Sequence, residues 1–211
     1  MKLEPDAEDA ELVGRCRTGD AHAFELLFQR HRGPVTRLVY RMLGPSSDLE
    51  DLVQDVFLQV IRSLESFRDE ARFSTWLYRV ALNVVLMHRR AVGRRPRLVD
   101  EQHALPAVDS APSAEDALET ALRVAAFYRV LARLSDKKRA VFVLHELEGL
   151  SPARISEIVG APVLTVRTRL FYARRELSRM LAEEPVLAAL ELEATDIASS
   201  EAPAALRKEV E

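Results

Sequence analysis

Residues 163–177 gather four arginines, two threonines and two aromatics into one short stretch: Thr165, Arg167, Thr168, Arg169, Phe171, Tyr172, Arg174 and Arg175. The chemistry these side chains can do is binding. A guanidinium grips phosphate or forks onto a guanine edge, a short hydroxyl permits close approach, and an aromatic edge packs on a thymine methyl. Val163, Val166, Leu170, Ala173 and Leu177 recur through the same stretch at helical spacing, which predicts one buried apolar face with Phe171, Tyr172 and the arginines turned away from it. Water is a poor neighbour for two such aromatics, so the outward face asks for a ligand.

A second set lies in residues 66–90, where Phe67, Phe73, Trp76 and Tyr78 interleave with Arg68, Arg72, Arg79 and the terminal His88, Arg89 and Arg90. Aromatics mixed with arginines suit unstacked bases, whose faces stack and whose phosphates need cations. Trp76 shares a face with Leu77, Val80 and Val84 and reads as core. Phe67 and Arg68 fall in a loop outside that pattern and read as exposed. A third set, Asp48, Glu50, Asp51 and Asp55, lies opposite Leu52, Val56 and Val60. Paired carboxylates can hold a metal or act as acid and base, but no histidine or glycine-rich loop accompanies these. They read as a solvated face or, with Gln54, as a surface for a basic partner protein. Cys16 stands alone, so no internal disulfide or cysteine zinc site can form. No catalytic residue, cofactor or metal is expected.

The elements that would position these groups are all helical. The spacing predicts helices over 7–17, 21–43, 48–65 and 74–91, with Gly33-Pro34 breaking or kinking the second and Ser74 capping the fourth. Residues 93–113, with their prolines and lost periodicity, read as a flexible linker. Ser113 opens a further helix, Ser135 another that stops at Gly149, and Ser151-Pro152 a third that stops at Gly160. Residues 151–177 then read as helix, tight turn and second helix, a helix-turn-helix whose second helix would enter the major groove. The fold class is therefore all-α: two small helical domains, 1–92 and 114–182, followed by an acidic tail over 183–211.

Charge is segregated along this plan. The net charge of −3 conceals +7 in residues 121–182, flanked by −6 in 98–120 and −6 in 183–211, so the basic module reads as a polyanion-binding surface. The tail could compete with DNA for the 167–175 face. No apolar run is long enough to span a bilayer and the N-terminus is acidic, which points to the cytoplasm. On these residues alone, a stand-alone DNA-binding regulator and a protein-interaction bundle remain open beside a two-surface nucleic-acid binder.

Two stretches sharpen the choice. "DLEDLVQDVFLQVIRSL" with "SFRDEARFSTWLYRVALN" resembles the second conserved region of extracytoplasmic-function (group IV) RNA polymerase sigma factors of the sigma-70 family, and "LSDKKRAVFVLHELEGLSPARISEIVGAPVLTVRTRLFYARREL" resembles their fourth. The resemblance covers about residues 10–92 and 118–182. It implies a bacterial protein that directs core RNA polymerase to promoters. Asp51, Gln54 and Asp55 would meet the β′ coiled coil, and the fourth region the β flap. Phe67, Arg68, Phe73, Ser74, Arg79 and Asn83 would capture flipped −10 bases. Thr165, Arg167, Thr168, Arg169, Phe171, Tyr172, Arg174 and Arg175 fall where the duplex −35 element is read. An anti-sigma factor is a further partner the resemblance implies. Leu164 stands where glycine is frequent in the family, Tyr172 where a basic residue is, and the tail runs past the usual end.

Overall fold

The computed structural model describes residues 7–67, 72–92 and 114–184. The linker 93–113, Arg68 and the tail beyond residue 184 lie outside these described residues, and so do the expectations placed on them. Eight α-helices are present among the described residues: α1 (Ala7–Arg17), α2 (Ala21–Leu43), α3 (Leu49–Ser63), α4 (Phe73–Val92), α5 (Ala114–Arg133), α6 (Asp136–Phe142), α7 (Pro152–Val159) and α8 (Val163–Ala182).

In the N-terminal domain α1, α3 and α4 pack around α2. Asp20 starts α2, its Oδ1 accepting from the His22 and Ala23 amides at 3.0 and 3.1 Å. The helix then runs through Gly33-Pro34 without a break. A proline inside a helix costs about 3 kcal/mol. Just beyond it Val35, Leu38, Val39 and Met42 are completely buried, and each such side chain contributes about 1.5–3 kcal/mol. Packing therefore outweighs the local signal for a break. The fourth helix starts one residue early, at Phe73, and Ser74 is a buried residue of its first turn rather than its cap.

In the C-terminal domain α6 and α8 form the central contact, with α5 and α7 against α8. A π-helical turn, Val143–Leu147, continues α6. Ser135 precedes α6 without a capping side-chain bond. The core here is Val141, Leu144, Ile155, Ile158, Val166, Leu170 and Ala173. Val163, expected on this apolar face, is instead exposed at the first turn of α8, before that helix has reached its neighbours.

The two domains lie against each other, α7 on α4 and the π-helical turn on α2. At one point the approach excludes any side chain. Gly44, at the C-terminal end of α2, has φ +84°, and a Cβ there would stand 2.8 Å from Cβ of Tyr128 on α5. The Tyr40 and Tyr128 rings meet edge to face beside it at 5.3 Å.

Candidate nucleic-acid interface

The helix-turn-helix is set by its caps. Ser151 Oγ accepts from the Arg154 amide at 3.3 Å and Pro152 occupies the first turn of α7. Gly160 ends that helix in the left-handed region, φ 62° and ψ 39°, which a residue with a Cβ enters only at a cost. Ser156 Oγ donates to the Ala161 carbonyl at 2.6 Å and fixes the turn. Ile155, Ile158, Val166 and Leu170 close the corner beneath it.

With that side of α8 buried, the other is presented to solvent. Arg167, Tyr172 and Arg175 are exposed, and Leu164 is 59% exposed. Phe171 is half-buried, its ring 5.4 Å from that of Tyr172. Thr165, Thr168 and Arg169 are half-buried at the rim. Thr168 Oγ1 donates back to the Leu164 carbonyl at 2.9 Å, which keeps the hydroxyl against its own helix. Arg174 differs from the set, because its Nε donates to Glu146 Oε1 at 2.7 Å and binds α8 to the π-helical turn.

The second set divides. Arg79 and Asn83 lie one turn apart on α4 and are exposed. Phe67 and Phe73 are not: they are 6% and 3% exposed. The expectation that Phe67 is an exposed loop aromatic is corrected here. A 3-10 turn, Leu64–Ser66, folds the chain back on itself, with the Phe67 amide donating to the Leu64 carbonyl at 3.2 Å. The Phe67 ring then packs 5.7 Å from Phe73 and 5.2 Å from Trp76, with the Arg17 guanidinium 5.7 Å over it. Trp76 is partly buried on this cluster.

Asp51, Gln54 and Asp55 are all exposed on α3. Beside them runs an apolar groove between α2 and α3, lined by Phe28, Arg32, Val53, Gln54, Phe57 and Leu58. Phe28 and Phe57 meet edge to face at 4.6 Å on its floor, and Ile61 at its end is 52% exposed. Sequence reasoning missed this groove. Its signal is the outward pair Leu58 and Ile61 on a helix whose buried face was already complete.

Between the domains sits a group of polar contacts. The Glu148 carboxylate, its side chain only 7% exposed, accepts from Arg41 Nη1 at 2.7 Å through one oxygen and from the Tyr78 hydroxyl at 3.3 Å through the other. Burial first, and then this carboxylate, push the Tyr78 phenol well above its usual range. Arg41 also donates to the Leu147 carbonyl. Arg154 Nη2 donates to Ser74 Oγ at 2.8 Å, and Arg79 Nη2 to the Glu157 carbonyl. Arg89 pairs with Asp136 at 3.0 Å, and Arg139 Nη1 donates to the Met42 carbonyl at 3.2 Å. Among the described residues no group of three or more potential metal ligands occurs and no helix is long and apolar enough to cross a membrane.

Two family models match the chain, Sigma-70 region 2 over residues 27–95 and Sigma-70 region 4 over residues 125–177. RNA polymerase sigma-H factor of Pseudomonas aeruginosa is 32% identical over 192 residues, 85% of this chain and 96% of that protein. ECF RNA polymerase sigma-E factor of Escherichia coli (strain K12) is 36% identical over 176 residues, 80% of this chain and 92% of that protein. Among solved structures, CnrH in complex with the cytosolic domain of CnrY superposes with a TM-score of 0.63 at 25% identity, over 84% of this chain and 99% of that one. Sigma factor RpoE in complex with the anti-sigma factor NepR from Bartonella quintana shares the fold, with a TM-score of 0.57 at 21% identity over 75% of this chain and 96% of that one.

Proposed function

Since this chain belongs to the extracytoplasmic-function group of the sigma-70 family, we propose how its surfaces divide the work of directing core RNA polymerase to promoters. The α2–α3 groove, with Asp51, Gln54 and Asp55 along its side, takes the β′ coiled coil. The carboxylates meet basic residues and the groove takes apolar ones. Arg79 and Asn83 on α4, with Ser74 below them, meet the unpaired −10 strand. Phe67 and Phe73 brace α4 from within instead of stacking on a base. The exposed face of α8, from Leu164 through Arg167 and Tyr172 to Arg175, reads the −35 duplex. The fourth-region domain meets the β flap.

The observation that supports this most is the two-sidedness of α8: one side is sealed into the domain, while the other exposes Arg167, Tyr172 and Arg175, with Phe171 half-buried beside them. A guanidinium forked onto a guanine edge contributes about 1–3 kcal/mol of discrimination. Opening the −10 region costs a few kcal/mol, which contacts at α4 would offset. A sigma-70 region 2 domain ahead of the helix-turn-helix also removes the stand-alone regulator reading. An anti-sigma factor is proposed as a further partner on the likeness to CnrH, which is held in a protein complex. Action on polymerase and DNA places the protein in the cytoplasm, and its chemistry is binding throughout.

The test is reconstitution. The purified chain mixed with core polymerase should form a holoenzyme that initiates from promoters the core alone ignores. Arg167→Ala with Arg175→Ala should reduce initiation on −35-dependent promoters. Normal initiation by the double variant would remove α8 from the −35 role.

A further inference from the structure

Glu183 and Glu184, the last described residues, both lie against basic side chains of the C-terminal domain. Glu183 pairs with Arg179 of α8 at 2.9 Å, and Glu184 with Arg129 of α5 at 3.1 Å. From Arg179 the outward stripe of α8 continues back to its first turn through Arg175, Tyr172 with Phe171, Arg167 and Leu164, three or four residues apart. We propose that residues 186–197 fold back along this stripe as an amphipathic helix, so that the tail and the −35 duplex compete for one face. This rests on the assignment of α8 above and adds its regulation.

The sequence of the tail complements that stripe. Pro185 follows the C-cap Glu183 by two residues, a placing that stops a helix. Leu187, Leu190, Ala194 and Ile197 then recur at helical spacing, with Glu191 and Glu193 on either flank. Between Pro185 and Arg207 every charged residue is acidic. Laid against α8, such a helix brings leucines to Phe171 and Tyr172 and carboxylates to Arg167 and Arg175. It offers the chemistry of DNA itself, anions for guanidiniums and apolar surface for aromatics. The lengths agree: Leu164 to Arg179 spans about 22 Å of helix, and residues 186–197 about 18 Å.

Charge selects α8 over the other open face of this domain. Leu118 and Leu122 of α5 are 61% and 53% exposed, and Arg129, which holds Glu184, lies on the same helix. The sequence of the first turns of α5, AEDALE, is acidic, so an acidic tail is repelled there. Exposed ion pairs contribute little each, and docking on α8 therefore needs the leucines as well as the carboxylates. Tethering supplies the rest. A segment joined through one short turn meets the face at an effective concentration of about millimolar, which DNA free in solution does not match. In holoenzyme the promoter is itself tethered through its −10 contacts and displaces the tail.

The experiment uses the full chain with Cys16→Ser and a nitroxide on Ala198→Cys, just past the proposed helix. The label should broaden the amide resonances of Leu164 and Arg167, and a pool of short random-sequence duplexes at low salt should restore them. Leu187→Ser with Leu190→Ser leaves the charge unchanged. It should abolish the broadening and tighten duplex binding by about tenfold, because apparent affinity scales with the open fraction. Glu191→Gln, Glu193→Gln and Asp196→Asn together should tighten binding more than Glu201→Gln, Glu209→Gln and Glu211→Gln together, with melting of every variant checked beside the parent. Equal effects of the two sets would mean that net charge alone is acting, and would overturn the docking. Broadening at Leu118 and Leu122 of α5 instead, or on neither helix, also overturns it. Broadening on α8 with duplex affinity unchanged in the leucine variant overturns the competition. The α8 assignment is tested apart, in holoenzyme: if Arg167→Ala with Arg175→Ala initiates normally, the −35 role fails and the competition for that duplex with it.

Discussion

Replacing Phe67 with alanine removes a ring packed on Phe73 and Trp76 beneath Arg17, and the expected cost is about 3–5 kcal/mol of folding stability. A lower unfolding midpoint in urea is the readout. A midpoint within experimental scatter of wild type would mean that the ring is not core. Arg167→Ala should weaken −35 duplex binding by about 1–3 kcal/mol with the melting temperature unchanged. Arg174→Ala should lower both, because it also breaks the bond to Glu146; binding titrations and thermal melts on the same samples separate the two. Asp9 carries a pH signature. It is 2% exposed, 2.9 Å from His31 Nε2 and 2.8 Å from Arg30 Nη1. Burial alone would raise its carboxyl, but the hydrogen bonds with His31 and Arg30 outweigh that and hold it below its ordinary 3.8. Its contribution is therefore fully present above the unfolded value and lost as pH falls through the lower folded one. The stability gap between wild type and Asp9→Asn should shrink as pH drops below about 4.

At the scale of elements, two of the glycines with left-handed φ, Gly160 and Gly44, should respond differently to alanine. A Cβ at Gly160 would meet nothing within 4 Å, so Gly160→Ala should cost only conformational strain, about 1–2 kcal/mol, and Gly160→Asn less. Gly44→Ala adds a clash with Tyr128 to the same strain and should cost more. Calorimetric melts of the three variants decide it. These elements were largely legible in the sequence: α1, α2 and the turn between α7 and α8 follow from period, cap and glycine alone. The failures have two causes. Gly33-Pro34 and Ser74 are local signals that packing overrides, and Phe67 lies beyond a 3-10 turn, where helical periodicity says nothing about direction. The outward face of α8 was legible because one helix holds all of it. The groove was not, because its walls come from α2 and α3 together.

At the scale of the molecule, the polar contacts between the domains were invisible beforehand, since their partners are separated by as many as 107 residues, as in Arg41 and Glu148, and no local pattern links them. Promoter binding by the holoenzyme should weaken steeply with salt. Each phosphate neutralised by these arginines releases counterions and adds about −0.9 to the slope of log affinity on log salt. Titrations at several salt concentrations should show a shallower slope for Arg167→Ala with Arg175→Ala than for wild type. Unbroken α2 has a consequence at this scale too. Its 23 residues, about 34 Å of helix, carry Phe28 and Arg32 in the groove and Arg41 and Met42 at the boundary with the C-terminal domain. One helix thus joins the face proposed for polymerase to the face that meets the C-terminal domain.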